Sequence, residues 1–174
     1  KIVVISPSAT APELTQERKF PLFFRTTPSD DAQARLGADF ALQALGAKKI
    51  AILHDKGDYG KGYSEFVKQF VEADGRAKVV FFEGITPGAM DYTSVVQKSG
   101  RRGADTLIFG GYYPEASKLI TLIKARKMKI NFVSEDGVKT DAFLKLAGKD
   151  GEGVYASSSR DFSELAVTKE AYEA

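Results

Sequence analysis

The sequence predicts a doubly wound α/β domain, a parallel five-stranded sheet with helices on both faces. Three observations carry this. Five short apolar runs alternate with segments of helical periodicity between residues 49 and 156, and that alternation means βαβ units around a parallel sheet. The runs, such as Leu107-Ile-Phe109, are apolar throughout rather than every second residue, as in strands buried on both faces. Right-handed crossovers between such strands then distribute helices over both faces.

The elements follow in chain order. Residues 2–5 form a β-branched run and read as a strand, followed by the polar turn at 6–10 and an irregular stretch at 11–20. Leu22-Phe-Phe24 is a second short extended piece, closed by Arg25-Thr-Thr-Pro28, where the proline biases Thr27 away from helix. A helix is expected from Ser29 or Asp30 to about Leu45, with Ala32, Leu36, Phe40 and Ala44 on one row and Gly46 as its cap. The regular alternation then begins with a strand at 49–53. Tyr63, Phe66, Val67, Phe70 and Val71 give a helix face starting near Gly60 and stopped at Asp74-Gly75. A strand at 77–82, a helix capped by Asp91 and ended by Gly100, and the strand at 107–109 come next. Gly110-Gly111 turns the chain into a helix whose first turn accepts Pro114. Ala116, Leu119, Ile120 and Ile123 fall on its inner face. A strand at 130–133, a short helix at 141–146, a last strand at 153–156 and a helix at 164–174 complete the chain.

In the commonest five-stranded doubly wound order, 2-1-3-4-5, the strands at 49–53, 107–109 and 130–133 are neighbours and the strand at 77–82 lies at the edge. Ligands bind in the crevice beyond the carboxyl ends of such strands. Three turns therefore converge: Asp55-Lys-Gly-Asp-Tyr59-Gly, Gly110-Gly-Tyr112-Tyr113 and Ser134-Glu-Asp136-Gly137. The edge turn at 84–88 is expected to sit apart.

Composition narrows the function classes. Of 174 residues 43% are apolar and 28% charged, as in an ordinary globular domain. The net charge is +2 and the basic residues are scattered, so no nucleic-acid partner is expected. The absence of cysteine excludes disulfides, cysteine metal sites and cysteine nucleophiles. Residues 1–5 run as a core strand with no lead-in, which suggests a piece of a larger protein.

Catalysis has little support. The sole histidine, His54, ends a buried strand and reads as structural. No Gly-x-Ser-x-Gly elbow, Gly-x-Gly-x-x-Gly turn or Walker loop occurs. No cofactor or metal is expected, because the turns supply too few clustered oxygen ligands. Binding has more. Tyr59, Tyr112 and Tyr113 offer aromatic surface with a polar tip. Asp136 or Glu135 offers negative charge for an ammonium group. Ser8 and Thr10 offer hydroxyls and free turn amides for a carboxylate. Singly, each is more often packing or turn chemistry; together they describe an α-amino-acid site.

Several stretches resemble the bacterial leucine/isoleucine/valine-binding proteins, periplasmic type I solute-binding proteins that feed ABC importers. They are Ile5-Ser-Pro-Ser-Ala-Thr-Ala-Pro-Glu-Leu-Thr15, Ile50-Ala-Ile-Leu-His-Asp-Lys56, Tyr59-Gly60, Val79-Val-Phe-Phe-Glu-Gly-Ile-Thr86 and Gly110-Gly-Tyr-Tyr-Pro-Glu115. The resemblance runs from residue 1 to about 162. It implies one lobe of a two-lobed fold: a first-lobe remnant and hinge crossing at 1–28, the second lobe at 29–156, and a crossing with return segment at 157–174. Ser8 and Thr10 then match first-lobe positions that hold the ligand's main-chain groups, and Tyr59 and Tyr112 match second-lobe cleft tyrosines. Asp136 matches the acid that pairs with the ammonium. That acid is Glu in the family's best-known members, so Asp136 reaches one methylene less far.

The implied function is non-enzymatic: binding a branched-chain or similar aliphatic amino acid in an interlobe cleft and delivering it to an ABC permease. The implied location is the periplasm, or the cell exterior with a lipid anchor. A ligand-sensing domain of the same fold is the alternative, ahead of a doubly wound enzyme. The apolar strand at 2–5 invites pairing with another chain, so self-association is also expected.

Overall fold

The computed structural model describes residues 2–16 and 19–159. The helix expected at 164–174 lies outside them. Among the described residues seven strands and five α-helices follow in the order β1 (Val4–Ser6), β2 (Phe23–Arg25), α1 (Asp30–Asp39), β3 (Lys49–His54), α2 (Asp58–Asp74), β4 (Lys78–Gly84), α3 (Thr93–Arg101), β5 (Thr106–Gly110), α4 (Tyr113–Ala125), β6 (Asn131–Ser134), α5 (Asp141–Ala147) and β7 (Val154–Ala156).

Strands β3 to β7 form one parallel sheet in the order β4-β3-β5-β6-β7, the 2-1-3-4-5 arrangement expected from the alternation. Strands β1 and β2 form a separate parallel pair. The helix after Pro28 differs in its last turns: the α-helix ends at Asp39 and continues as a π-helix over Phe40–Ala44. Helix α2 begins two residues before Gly60, at Asp58, and Gly75 closes it in the left-handed conformation with φ 78°. Asp91 accepts the Thr93 amide at 2.9 Å, which supports the start of α3.

Side chains alternate across the buried strands and sort the core into two layers. Ile50, Ile52, Ile108 and Val133 face α1 and α2, where they meet Ala34, Ala38, Tyr63, Val67 and Val71. Ala51, Leu53, Leu107, Phe109 and Phe132 face α3, α4 and α5, packing on Val96, Leu119, Ile120, Ile123 and Phe143. All of these side chains are almost wholly buried. At roughly 25 cal/mol per Å² of apolar surface removed from water, this two-sided burial is the main force assembling the sheet.

One close approach sets where α2 sits. A Cβ on Gly60 would lie 2.5 Å from the carbonyl oxygen of Gly110 and 2.5 Å from Asp55 Oδ1. The first turn of α2 therefore presses directly on the end of β5, and only glycine fits between. Alanine in a helix is ordinarily more favourable than glycine by about 1 kcal/mol. We expect the reverse here: Gly60→Ala should destabilise the protein by roughly 1–3 kcal/mol, the usual cost of overpacking. Urea unfolding of the variant measures this, and a gain in stability would contradict the contact.

Candidate functional site

The carboxyl ends of β3, β5 and β6 are in register, so their turns meet. The Asp55 amide donates to the carbonyl of Gly110 at 3.0 Å, joining the first two. The turn after β3 is built by its own side chains. His54 Nδ1 accepts the Lys56 amide at 3.1 Å and Asp55 Oδ1 accepts the Gly57 amide at 2.8 Å. Lys56 adopts φ 69° between them. This tight turn delivers Tyr59 on the first turn of α2. His54 is buried against Phe82, with ring centres 5.2 Å apart. Burial lowers its pKa, partly offset by Asp55. The histidine is a strand-end packing residue, as its position suggested.

Glu135 ties the third turn to the other two. Its side chain is wholly buried. Oε1 accepts the Gly111 amide at 2.6 Å, and Oε2 accepts the Gly137 amide at 2.8 Å. The Tyr59 hydroxyl stands 2.5 Å from Oε2 and also contacts Asp136 Oδ1. It lies 3.2 Å from Gln33 Oε1, whose amide nitrogen is turned away to donate to Ser157 Oγ at 3.0 Å. Burial pushes the Glu135 pKa up to about 7, against the pull of Tyr59 and the two amides, while Asp136 raises it further. Burial, and then the Glu135 charge, also raise the Tyr59 phenol, which stays protonated. Among the described residues no lysine or arginine forms an ion pair with Glu135 or Asp136.

The opposite wall comes from the segment between β1 and α1, held by Arg25. Its guanidinium donates to the carbonyls of Ala9 at 3.3 Å, Ala11 at 3.0 Å and Pro12 at 3.2 Å, and also to Thr15 Oγ1. Ser6 Oγ accepts the amides of Ser8 at 3.3 Å and Ala9 at 2.9 Å. The Ser8 amide is therefore engaged, contrary to the expectation of a free turn donor there, because Ser6 folds the turn back on itself. The Asp30 amide donates to the Thr10 carbonyl at 2.9 Å, fastening this wall to α1. Burial raises the Asp30 carboxyl, with the Thr10 hydroxyl and the Arg25 charge pulling it back.

Between the two walls lies a cavity of about 390 Å³. Ser8, Thr10, Tyr59, Tyr112 and Asp136 all line it. The Tyr59 and Tyr112 rings meet at 5.8 Å. Tyr113 does not join them: as the first residue of α4 it packs against the core below. Of the two acids, Asp136 borders the cavity and Glu135 lies beneath it. The edge turn at 84–88 is absent from the lining. Sequence reasoning had not singled out Gln33 or Arg25, nor Asp30, which also lines the cavity. Their roles depend on contacts across the chain that no local pattern records.

The periplasmic binding protein family model matches residues 1–173. The chain belongs to this family. It is 34% identical over 168 residues to the Leu/Ile/Val-binding protein of Escherichia coli strain K12, covering 97% of this chain and 45% of that one. It is 36% identical over 163 residues to the leucine-, isoleucine-, valine-, threonine- and alanine-binding protein of Pseudomonas aeruginosa, covering 94% and 43%. Among solved structures, a leucine-binding protein from Thermotoga maritima superposes with a TM-score of 0.84 at 22% identity, over 99% of this chain and 51% of that one. The chain thus spans about half the length of these periplasmic binding proteins.

The raised Glu135 pKa has a consequence for stability. The native acid keeps a proton that the unfolded chain, with the ordinary value near 4.5, gives up earlier. Glu135 therefore contributes stability that is fully present below about pH 4.5 and is lost as pH rises through 7. The stability difference between wild type and Glu135→Gln should fall by up to roughly 3 kcal/mol between pH 4.5 and pH 8. Urea unfolding across that range reads it, and a difference independent of pH would contradict the shift. Comparing the two proteins cancels the opposite slope expected from His54.

Proposed function

We propose that this chain is the ligand-binding second lobe, with adjoining first-lobe segments, of a periplasmic amino-acid-binding protein that serves an ABC importer. The division at residues 28 and 157 is part of the proposal. The observation that carries it is the pairing, in one cavity, of the Asp136 carboxylate with the Tyr59 and Tyr112 rings. An acid that, among the described residues, forms no ion pair with a basic side chain suits an ammonium group. Ser8 and Thr10, on the opposite wall, suit the ligand's main-chain polar atoms, and the tyrosine rings suit an aliphatic side chain. The volume of about 390 Å³ lies near the lower end of the range for small-molecule sites, about 300–1,000 Å³, and favours a single amino acid. The relatives' names, which specify leucine, isoleucine and valine, favour a branched-chain ligand.

In this reading the protein turns nothing over. It closes by hinge motion around its ligand and presents the closed form to the membrane permease from the periplasmic side. The exposed apolar residues on and just before the β1–β2 pair, Ile2, Ile5 and Phe24, pack under the rest of the first lobe in the complete protein. The isolated chain is expected to self-associate through them, a concentration dependence that analytical ultracentrifugation would register.

The decisive test is calorimetric titration of the complete two-lobed protein, stripped of ligand, with a panel of amino acids. Leucine, isoleucine or valine should bind with micromolar or tighter affinity and be recovered unchanged. Asp136→Asn should weaken that binding by about 30-fold or more, since an ammonium left without its charged partner costs at least about 2 kcal/mol. Tight binding of a ligand without an amino group, insensitive to this substitution, would replace the reading. So would consumption of the ligand.

A further inference from the structure

The floor of the cavity poses a problem of hydrogen-bond arithmetic. The Tyr59 oxygen contacts three oxygens: Glu135 Oε2 at 2.5 Å, Asp136 Oδ1 and Gln33 Oε1 at 3.2 Å. A phenol has one proton to donate and can accept from donors through its lone pairs. Ionised carboxylates and the Gln33 carbonyl are acceptors only. With both acids ionised, one hydroxyl proton would face three acceptors, and two negative charges would stand side by side with no described lysine or arginine ion-paired to either. The two carboxyl contacts become consistent once one carboxyl carries a proton and donates it to the Tyr59 oxygen, which leaves the longer 3.2 Å approach of Gln33 Oε1 without a proton. Tyr59 is then free to donate to the other.

Burial decides which acid that is. Glu135 is wholly enclosed, whereas Asp136 is half-exposed on the cavity wall, and enclosure penalises the charged form. Of the groups turned toward Glu135, the Tyr59 hydroxyl and the Gly111 and Gly137 amides favour its charged form and Asp136 opposes it, and enclosure outweighs the three donors. Asp136 follows it in the chain. Tyr59 and Tyr63 come from α2, and both phenols are raised by burial and by the Glu135 charge. Tyr112, before α4, feels Asp55, Glu135, Asp136 and Asp30 together. Its ionisable neighbours are thus acids or phenols.

We propose that Glu135 is held as the neutral acid, donates its proton to Tyr59, and so positions Tyr59 to donate to the Asp136 carboxylate. Glu135 is a positioning residue: it touches no ligand and acts through the tyrosine. The inference deepens the amino-acid reading and rests on it for one consequence. An ammonium arriving at Asp136 brings a positive charge beside Glu135 and favours its ionisation. The bond that breaks is the Glu135 O–H, and the proton leaves to solvent, so ligand uptake releases protons and tightens as pH rises through neutrality.

Infrared spectroscopy tests the stored proton without any ligand. The wild-type minus Glu135→Gln difference spectrum of the ligand-free protein at pH 6 should contain the C=O band of a hydrogen-bonded carboxylic acid. Tyr59→Phe, which removes only the hydroxyl, should shift that band. Absence of the band, or a position unmoved by Tyr59→Phe, overturns the proposal. Titration with leucine in buffers of different ionisation enthalpy tests the consequence. Wild type should release a fraction of a proton near neutral pH, and its affinity should rise about threefold to tenfold from pH 6 to pH 8, a linkage of up to one pKa unit. Glu135→Gln should lose both effects, a change that a packing role alone would not produce. Leucine binding with no proton release also overturns the proposal. The band present without any amino-acid binding supports the stored proton and sinks instead the assignment of the cavity to amino acids.

Discussion

Three chain segments far apart in sequence converge on one buried carboxyl group. Glu135 receives the Gly111 amide from the turn after β5 and the Gly137 amide from its own turn, and meets the Tyr59 hydroxyl at the start of α2. Each partner satisfies a polar group that would otherwise be stranded where water does not reach, at a cost of about 1–3 kcal/mol apiece. The arrangement holds only because the backbones come close. Glycine at 137 matters here, because a Cβ would lie 3.0 Å from both Glu135 Oε2 and the Gly111 carbonyl. The position of Asp136 and Tyr112 on the cavity wall follows from this tie.

The opposite wall depends on a second multiple hydrogen-bonding group, Arg25. A guanidinium carries five donors in a planar fork, and this one uses them on three backbone carbonyls and a hydroxyl of a loop with little secondary structure of its own. It sits at the end of β2, a strand paired only with β1. The two walls thus differ in support. One hangs from a sheet buried on both faces, the other from a two-stranded pair with exposed apolar residues.

Most of the architecture was legible in the sequence because it depends on local periodicity. The continuous apolar runs at residues 50–53 and 107–109, and the inner helix face through Leu119, Ile120 and Ile123, mark their elements without reference to anything distant. The strand order is the commonest one for five doubly wound strands, and the meeting of the three turns follows from it. The departures lie where packing overrides pattern. The helix after Asp30 converts to a π-helix at Phe40, and Tyr113, grouped with Tyr112 by adjacency, turns into the core when α4 begins at that residue.

The cavity divides in the same way. That Tyr59, Tyr112 and Asp136 stand together at strand ends is a consequence of topology, and topology can be read from the order of the elements. The separate fates of Glu135 and Asp136 are not in the local pattern, where only the family resemblance points to Asp136, because neighbouring acids in a turn are equivalent until the chain folds. Burial depends on what lies above each of them. Only tertiary structure places Tyr59, Gly111 and Gly137 around the first and leaves the second open to the cavity, so that one acid is a candidate ligand contact and the other a buried strut.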